Sequence, residues 1–372
     1  MQHHTRLWID LRAYEENIRA FLSMLSPSCR LCAVVKSDAY GHGLSALAPI
    51  AVNAGAAYLG ITENEEACVL RDLNLACPLL RLRPATREEA EAAWPDAVEE
   101  IVGSYESARM LSEIGVRRGR PIPVHLKLDV GIGRMGFSFS SHRQDIDKTL
   151  ALDGIRLVGI MTHFPVADEE NLTETRRQLG RFEGEAAELQ SRLTAPLLVH
   201  AANSSATLRL PESHKDLVRI GIASYGLPPS PAVDLPESLQ PVLSWITAVV
   251  QVREVPAGAA IGYGMTYRTS RAQRIATLPV GYADGYVRAL SNRAHVLIRG
   301  RRCPIVGRVS MNMTTVDVTG LDGVVLGEEA VLIGRQGNQH IPLHELSDLA
   351  GTITYELACL IGACNRDRRV VK

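Results

Sequence analysis

The sequence predicts an α/β protein, an N-terminal (β/α)8 barrel of the TIM type followed by a mostly-β C-terminal domain. Eight short apolar runs alternate with amphipathic stretches over roughly 230 residues, close to the usual barrel size of about 250. A proline-rich stretch over residues 228–237 then interrupts the pattern. Beyond it, β-rich runs are joined by Gly and Pro turns, which is typical of an antiparallel β domain. We therefore expect two domains, residues 1–235 and 236–372.

The barrel elements follow in chain order. Residues 8–10 predict an opening strand, and Asp10 is placed to cap a helix over residues 11–25. A doubly wound open sheet is the structural alternative, but no GxGxxG motif follows the first barrel strand, and the count of eight βα units favours the barrel. The eight strands are expected at residues 32–36, 57–61, 79–82, 100–104, 124–129, 157–163, 197–203 and 217–222.

The C-terminal part has a different pattern of apolar and turn residues. Its apolar runs are bounded by turn residues rather than by amphipathic helices. Strands are expected within residues 245–255, 274–280, 295–299, 303–318 and 330–333, and helices at residues 344–349 and 354–360.

Composition excludes several classes of function. A formal net charge of -1 gives no electrostatic reason to expect binding to nucleic acid or to an anionic membrane surface. Cys29 and Cys32 have CxxC spacing, but no second pair follows, so no metal site is expected. The amino terminus lacks an apolar signal segment, and no run is long enough to cross a bilayer. We expect a cytoplasmic protein with reduced thiols.

Charged residues occupy strand positions where a barrel should not tolerate them. In the fifth run, His125, Lys127 and Asp129 share one face, and apolar residues share the other. Because the apolar face should pack on the helices, Lys127 and Asp129 are expected to point into the barrel. The same argument turns His200 and Arg219 inward. A buried unpaired charge costs several kcal/mol, so these groups must be paired or serve a ligand. A structural ion-pair network is the alternative.

Lys36 lies at the carboxyl end of the first barrel strand, where this fold places its chemistry. A strand-end lysine that reaches solvent is the alternative. Barrels often bind phosphate with the loops after strands seven and eight. Here those loops contain Asn203-Ser204 and Gly221-Ile222, which supply a hydroxyl and accessible backbone N–H groups.

The turn after Lys36 resembles the cofactor-lysine signature of bacterial alanine racemases, which are fold-type III enzymes dependent on pyridoxal phosphate. The resemblance extends in the family's order over nearly the whole chain. The motifs that carry it are residues 31–43, 127–136, 162–164, 200–204, 219–222, 262–267, 281–285, 307–311 and 351–356.

The resemblance implies a two-base racemisation of alanine that supplies D-alanine for peptidoglycan. Lys36 would bind pyridoxal phosphate as a Schiff base and serve the D enantiomer, and Tyr267 would serve the L enantiomer in a network with His163. Arg219, supported by His200, would meet the pyridine nitrogen. The other residues implied to bind the cofactor are Tyr40, Arg134, Asn203, Ser204, Gly221, Ile222 and Tyr355.

The substrate carboxylate would meet Arg134 and the Met311 backbone. Lys127 matches a position that is often carbamylated in the family, a change that would make it an anion paired with Arg134. The β domain of one subunit would complete the barrel site of the other, so the resemblance implies a homodimer.

Two departures from the family pattern bear on substrate choice: Asn312 replaces the usual aspartate, and Pro165-Val166 stand where small residues are common. The resemblance also implies a set of residues that line the approach to the site, and all of them are typical of the family. They are Asp168, Tyr282, Arg288, Arg308 and Ile353. A racemase of broader specificity, acting for example on serine, is the first alternative. A non-catalytic pyridoxal-phosphate protein would lack the β domain. A fold-type III decarboxylase would bring a cysteine and an aspartate from its second domain, and we do not find them here.

Overall fold

The computed structural model describes residues 5–93, 98–365 and 368–371, and these divide into two compact units. The barrel unit contains Tyr14–Ala39 and Leu44–Gln240. The β unit contains the described residues up to Ala13, Tyr40–Gly43, and the described residues from Pro241 onward. The domain boundary expected at residue 235 stays a prediction about where the chain could be divided into independent domains.

The chain opens with strand β1 (Arg6–Asp10) and helix α1 (Leu11–Ser23). The Asp10 carboxylate accepts a hydrogen bond from the backbone N–H of Ala13 at 2.9 Å, so the predicted helix cap is confirmed. The pairing partners of β1 lie in the C-terminal part of the chain, a long-range contact that the local sequence did not indicate.

The barrel unit contains the eight predicted parallel strands, in the spatial order β8-β7-β6-β5-β4-β3-β2-β9. Backbone bonds from Asp216 to Val199 and from Arg219 to Ala202, both 3.0 Å, join β9 to β8 and close the sheet. The (β/α)8 barrel is thus confirmed. The strands are β2 (Arg30–Val34), β3 (Tyr58–Ile61), β4 (Leu79–Arg81), β5 (Val98–Val102), β6 (Ile122–Lys127), β7 (Ile155–Met161), β8 (Leu198–His200) and β9 (Leu217–Ile220).

Several barrel strands are buried along nearly their whole length because helices cover the outside and side chains fill the interior. This explains their near-continuous apolar runs. The helical elements of this part of the chain are α2 (Lys36–Tyr40), α3 (Leu44–Ala54), α4 (Asn64–Asp72), α5 (Arg87–Ala92), α6 (Tyr105–Arg117), α7 (Arg143–Leu150), α8 (Thr173–Ser191) and α9 (Ser204–Arg209).

The β unit contains three sheets. The largest has seven strands in the order β16-β15-β18-β10-β1-β20, with β19 paired to β18. The others are β11-β14-β17 and β12-β13. The strands are β10 (Leu243–Ala248), β11 (Gln251–Val255), β12 (Ala260–Ile261), β13 (Tyr267–Arg268), β14 (Gln273–Leu278), β15 (His295–Ile298), β16 (Arg301–Pro304), β17 (Thr314–Asp317), β18 (Glu329–Gln336), β19 (Gln339–Ile341) and β20 (Arg368–Val371).

Helices α10 (Leu343–Ala350) and α11 (Thr354–Cys364) complete the β unit. The mostly-β character is confirmed, and most strand pairs are antiparallel as expected. The pair of β1 and β20 is parallel, so the prediction of an antiparallel domain is wrong at this place. No helix within the described ranges has the length and the apolar character that a bilayer span requires.

Candidate active site

Lys36 begins a helical turn of the opposite hand to an ordinary α-helix. The φ angles of Ser37, Asp38, Ala39 and Tyr40 are 52°, 54°, 53° and 53°. Left-handed backbone costs roughly 1–2 kcal/mol per non-glycine residue, so the turn needs support from its surroundings. The prediction that the first barrel strand reaches Lys36 is wrong by two residues, because β2 ends at Val34 and this turn follows.

Two carboxylates hold the left-handed turn. Asp38 Oδ1 accepts a hydrogen bond from the backbone N–H of Leu44 at 2.7 Å, which closes the loop before α3. Glu66 Oε1 accepts the backbone N–H of Ser37, and Glu66 Oε2 accepts the N–H of Thr62 at 2.7 Å. The buried Glu66 side chain therefore ties the residue after Lys36 to the turn between β3 and α4. These bonds fix the point from which the Lys36 side chain extends.

Four cations surround His163 in the barrel unit. Desolvation, followed by the positive charges of Arg219, Lys127, Arg134 and Lys36, holds the pKa of His163 well below its ordinary value. Burial, with Arg134 and Arg219, also lowers the pKa of Lys127 to about 8. Asp129 opposes this effect. Such an excess of positive charge favours an anionic ligand or an anionic modification.

Arg219 leaves two of its five N–H groups for a ligand, one on Nε and one on Nη1. Its Nη2 donates to the carbonyl oxygens of Thr162 at 2.8 Å and Ala201 at 2.9 Å, and its Nη1 donates to His200 Nδ1 at 3.0 Å. No acceptor among the described residues contacts Nε. Burial lowers the pKa of Arg219 to about 10, so the guanidinium stays charged at neutral pH.

The loops after β8 and β9 meet through Ser204. Its hydroxyl accepts the Gly221 N–H at 3.0 Å, and the neighbouring Asn203 side chain caps α9 by accepting the Ala206 N–H at 3.0 Å. The Gly221 N–H is thus used within the protein. The Ile222 N–H has no acceptor within the described ranges, and the hydroxyl proton of Ser204 has no acceptor there either.

Asp129 does not point into the barrel, so that prediction is wrong. It lies beyond the end of β6, where its carboxylate accepts the N–H groups of Gly131 at 2.9 Å and Gly133 at 3.0 Å. The alternation argument fails here because the strand ends at Lys127, which is buried as predicted.

In the β unit, the ring centroids of Tyr40 and Tyr355 are 6.1 Å apart. Two glycines allow this approach. A Cβ on Gly362 would lie 2.2 Å from the Cα of Gly41, and a Cβ on Gly41 would lie 2.4 Å from the carbonyl oxygen of Ala358. Gly41 also has a φ of +80°. The backbone after Tyr40 therefore packs directly against α11, the helix that carries Tyr355.

We expect Gly362→Ala to destabilise the protein. Alanine is the better helix former by about 1 kcal/mol, but overpacking against the Gly41 backbone should outweigh this and leave a net loss of about 2 kcal/mol. The measurement is urea unfolding. Gly184→Ala is the matched control, since Gly184 lies on α8 with nothing within 4 Å of the added Cβ, and it should stabilise. Equal stabilisation by both changes would contradict the packing argument.

Tyr267 and Met311 also lie in the β unit. The Tyr267 ring packs on the cluster formed by Val255, Ile261, Ile275 and Val306. Gln273 Nε2 donates to the Tyr267 hydroxyl at 2.9 Å and to Asp317 Oδ2 at 2.6 Å. The Met311 carbonyl accepts the Ala283 N–H at 2.9 Å, and the Met311 N–H has no acceptor in the described part of the chain.

The barrel unit therefore gathers the predicted residues Lys36, Lys127, Arg134, His163, His200, Asn203, Ser204, Arg219, Gly221 and Ile222, and the β unit carries Tyr40, Tyr267, Met311 and Tyr355. Sequence reasoning missed Glu66 and Gln273, whose polar side chains occur in ordinary helix and strand patterns. Only their partners, which are distant in sequence, reveal them.

Comparisons with known proteins show the family of this chain. A family model described as the N-terminal domain of alanine racemase matches residues 9–229, and one described as the C-terminal domain matches residues 242–370. The alanine racemase of Symbiobacterium thermophilum is 45% identical over 94% of this chain and 93% of its own length. The broad specificity amino-acid racemase of Aeromonas hydrophila is 40% identical over 96% of this chain and 88% of its own.

Solved structures of alanine racemases also superpose on this chain over its full length. Alanine racemase from D-cycloserine-producing Streptomyces lavendulae superposes with a TM-score of 0.92 at 33% identity, covering 100% of this chain and 98% of its own. Alanine racemase from Bartonella henselae, which holds covalently bound pyridoxal phosphate, has a TM-score of 0.89 at 27% identity, covering 100% and 99%. Since both family models match and the relatives align over nearly their full length, this chain belongs to the alanine racemase family.

Proposed function

We propose that this chain interconverts L-alanine and D-alanine with pyridoxal phosphate, using Lys36 and Tyr267 as its two bases. The observation that carries the proposal is Arg219, which is buried, charged and bonded on both Nη atoms, with Nε left to meet a ligand. A donor held in this way suits the lone pair of a pyridine nitrogen.

The residues present fit pyridoxal phosphate. Lys36 supplies the amine for covalent attachment, and the Ser204 hydroxyl and Ile222 N–H supply donors for the phosphate, with Tyr40 and Tyr355 added from the β unit. Arg134 supplies positive charge for the phenolic oxygen and for the substrate carboxylate, to which the Met311 N–H also contributes. When bound, the cofactor withdraws electrons from the substrate Cα and makes its proton acidic.

Two bases on opposite faces of the substrate would exchange that proton without turning the substrate over. The Lys36 amine removes or returns the proton on the face that serves D-alanine, and the Tyr267 phenol does so on the other face. A free tyrosine has a pKa of about 10, so Tyr267 needs nearby positive charge to act as a base near neutrality. The cations around His163 would supply that charge.

Arg219 also limits what the reaction can do. With a pKa of about 10, it would donate a hydrogen bond to the pyridine nitrogen without giving up its proton at neutral pH. An aspartate at this position would favour a protonated ring and side reactions such as transamination. The guanidinium favours simple return of the proton to Cα.

A homodimer would bring Tyr267 of one subunit to Lys36 of the other. The exposed apolar side chains of the β unit support this part of the proposal. Tyr263 is 72% exposed, Met265 62%, Met311 57% and Ile353 59%. Exposed apolar side chains that lie together on a surface usually mark an interaction site.

Carbamylation of Lys127 would convert a buried cation beside Arg134 into an anion. The pKa of about 8 gives a larger neutral fraction near neutral pH than an ordinary lysine has, and the neutral amine is the form that reacts with CO2. A native mass spectrum in bicarbonate buffer should show the added mass of one CO2 in the wild type and not in Lys127→Met. An unmodified amine at Lys127 under these conditions would contradict the assignment.

The unmodified amine has a distinct pH signature. Because the folded-state pKa, about 8, is below the unfolded value of about 10.4, the unfolded chain holds more protons between these limits. In CO2-depleted buffer, we expect the free energy of unfolding, relative to Lys127→Met, to rise with pH from about 8 to about 10.4. Bicarbonate should flatten this rise, and a flat difference without CO2 would contradict the assigned burial cost.

Incubation with L-alanine and pyridoxal phosphate in deuterium oxide tests the proposed function. A racemase yields D-alanine carrying deuterium at Cα. A decarboxylase would release CO2, and a non-catalytic pyridoxal-phosphate protein would give neither product. We further propose that the protein acts in the cytoplasm. The D-alanine that it forms would be used to make peptidoglycan.

A broader amino-acid racemase is the second candidate, and Asn312 is the observation that favours it. This exposed amide follows Met311, where an aspartate would place a negative charge beside the substrate. The similarity to the Aeromonas hydrophila broad specificity racemase supports the same reading. A panel of amino acids analysed by chiral chromatography separates the candidates, and turnover confined to alanine would exclude this one.

A further inference from the structure

Four side chains from four strands form one hydrogen-bonded chain inside the barrel. Arg219 Nη1 on β9 lies 3.0 Å from His200 Nδ1 on β8, and His200 Nε2 lies 2.9 Å from His125 Nδ1 on β6. His125 Nε2 lies 2.8 Å from Glu99 Oε2 on β5. Both histidines are fully buried. We call these four residues the relay.

The groups at the two ends of the relay determine which ring nitrogen of each histidine carries its proton. A guanidinium only donates, so the contact of 3.0 Å is a hydrogen bond when His200 Nδ1 accepts from Arg219. His200 is neutral, because burial, the charge of Arg219 and His125 hold its pKa well below the ordinary value. Its single proton therefore lies on Nε2 and is donated to His125 Nδ1. His125 then carries its proton on Nε2 and donates it to the Glu99 carboxylate.

We propose that Glu99 is a positioning residue for Arg219, acting through the two histidine tautomers that its carboxylate selects. The proposal rests on the role given above to Arg219 toward the pyridine nitrogen. With the opposite tautomers, His200 Nδ1–H would face the Nη1–H of Arg219, and two donors would repel across a contact of 3.0 Å. Glu99 disfavours that state, since the opposite tautomer of His125 would turn a lone pair toward its carboxylate.

The backbone around His125 is shaped to admit its ring. A Cβ on Gly159 of β7 would lie only 2.2 Å from His125 Nδ1, so any larger residue there would displace the imidazole. The register between β6 and β7 also shifts between Val124 and His125. The rings of His125 and His200 meet edge to face, with centroids 4.9 Å apart. Strands β6 and β7 therefore make room for the His125 ring, through the register shift and through Gly159.

The surroundings of Glu99 keep it available as an acceptor. Burial, and then the charge of Glu99, raise the pKa of Tyr58 to about 12, so the phenol remains protonated beside the carboxylate. Arg30 adds a positive charge near the same tyrosine. The Glu99 side chain is 16% exposed, which places the outer end of the relay within reach of water and the inner end at Arg219.

Nitrogen NMR of the full-chain holoenzyme, with 15N-labelled histidine, reads the tautomers directly. We expect both His125 and His200 to carry their proton on Nε2 in the wild type. In Glu99→Met, which removes the acceptor but keeps the bulk, we expect a mixture of tautomers, and a kcat lower by about tenfold with KM within about twofold. Glu99→Gln retains a carbonyl oxygen and should restore the wild-type tautomers and most of kcat.

Glu106→Met is the matched control, because it removes the same charge from an exposed position on α6. A proton on Nδ1 of either histidine in the wild type would overturn the proposal, and so would a Glu99→Met enzyme with wild-type tautomers and kcat. The nitrogen spectra do not depend on turnover. A wild-type enzyme with the expected tautomers that failed to racemise alanine would therefore refute the proposed function and leave the relay standing.

Discussion

Lys36→Ala is expected to abolish racemisation in both directions, with kcat lower by at least about 10⁴-fold. The change removes the covalent attachment of the cofactor and the base for one face together. Borohydride reduction followed by peptide mass analysis should attach cofactor to the Lys36 peptide of the wild type and to none in the variant. The left-handed turn should survive, since the Asp38 and Glu66 carboxylates that accept backbone N–H groups there are unchanged by the substitution.

Lys148→Ala is the control for this change, because Lys148 is an exposed lysine on α7 whose side chain is 56% accessible. It should retain both the cofactor and full activity. A purified Lys36→Ala protein that interconverts alanine enantiomers at the wild-type rate would rule out Lys36 as the cofactor lysine and as a base.

Tyr267→Phe should separate the two halves of the reaction. Racemisation should fall by about 10²–10⁴-fold, the usual contribution of a positioned acid or base. Exchange of the Cα proton of D-alanine with deuterium oxide should continue, because Lys36 still serves that face. The measurement is deuterium incorporation into recovered D-alanine, compared with the formation of L-alanine.

The fold should tolerate this substitution. The phenylalanine ring keeps the packing against Val255 and Ile261, and Gln273 keeps its bond to Asp317 at 2.6 Å. Tyr105→Phe, on α6 of the barrel unit, controls for loss of a phenol elsewhere. If exchange into D-alanine stops together with racemisation, the assignment of one base to each face is wrong.

The apolar runs predicted the barrel because each strand is buried on both faces. Burial on both faces requires apolar side chains at successive positions, and the sequence shows them directly. The polar positions His125, Lys127, His200 and Arg219 were visible for the same reason, since they interrupt those runs. Strand β6 shows the limit of the argument: alternation predicts where Lys127 points, but it fails at Asp129, where the strand has already ended.

The parts that escaped prediction depend on contacts distant in sequence or on unusual backbone. Residues 37–40 contain no glycine, which is the usual sequence signal for a positive φ. The local sequence therefore does not predict four consecutive residues with positive φ. Glu66 looks like an ordinary acid in the first turn of a helix, and only the Ser37 N–H gives it a role. Glu99 looks like a solvent-facing strand residue until His125 is placed beside it.

The pairing of β1 with β20 sets an order of events during synthesis. Leu7 is aligned with Arg368 and Asp10 with Val371, so this edge of β1 stays open until β20, which lies far along the chain, has been synthesised. By then the whole barrel sequence has left the exit tunnel and has had time to collapse. A nascent chain halted before residue 368 should therefore expose the edge of β1, and such an unpaired edge attracts other strands. Termination of synthesis between β19 and β20 would then promote aggregation of a chain whose barrel has already been made.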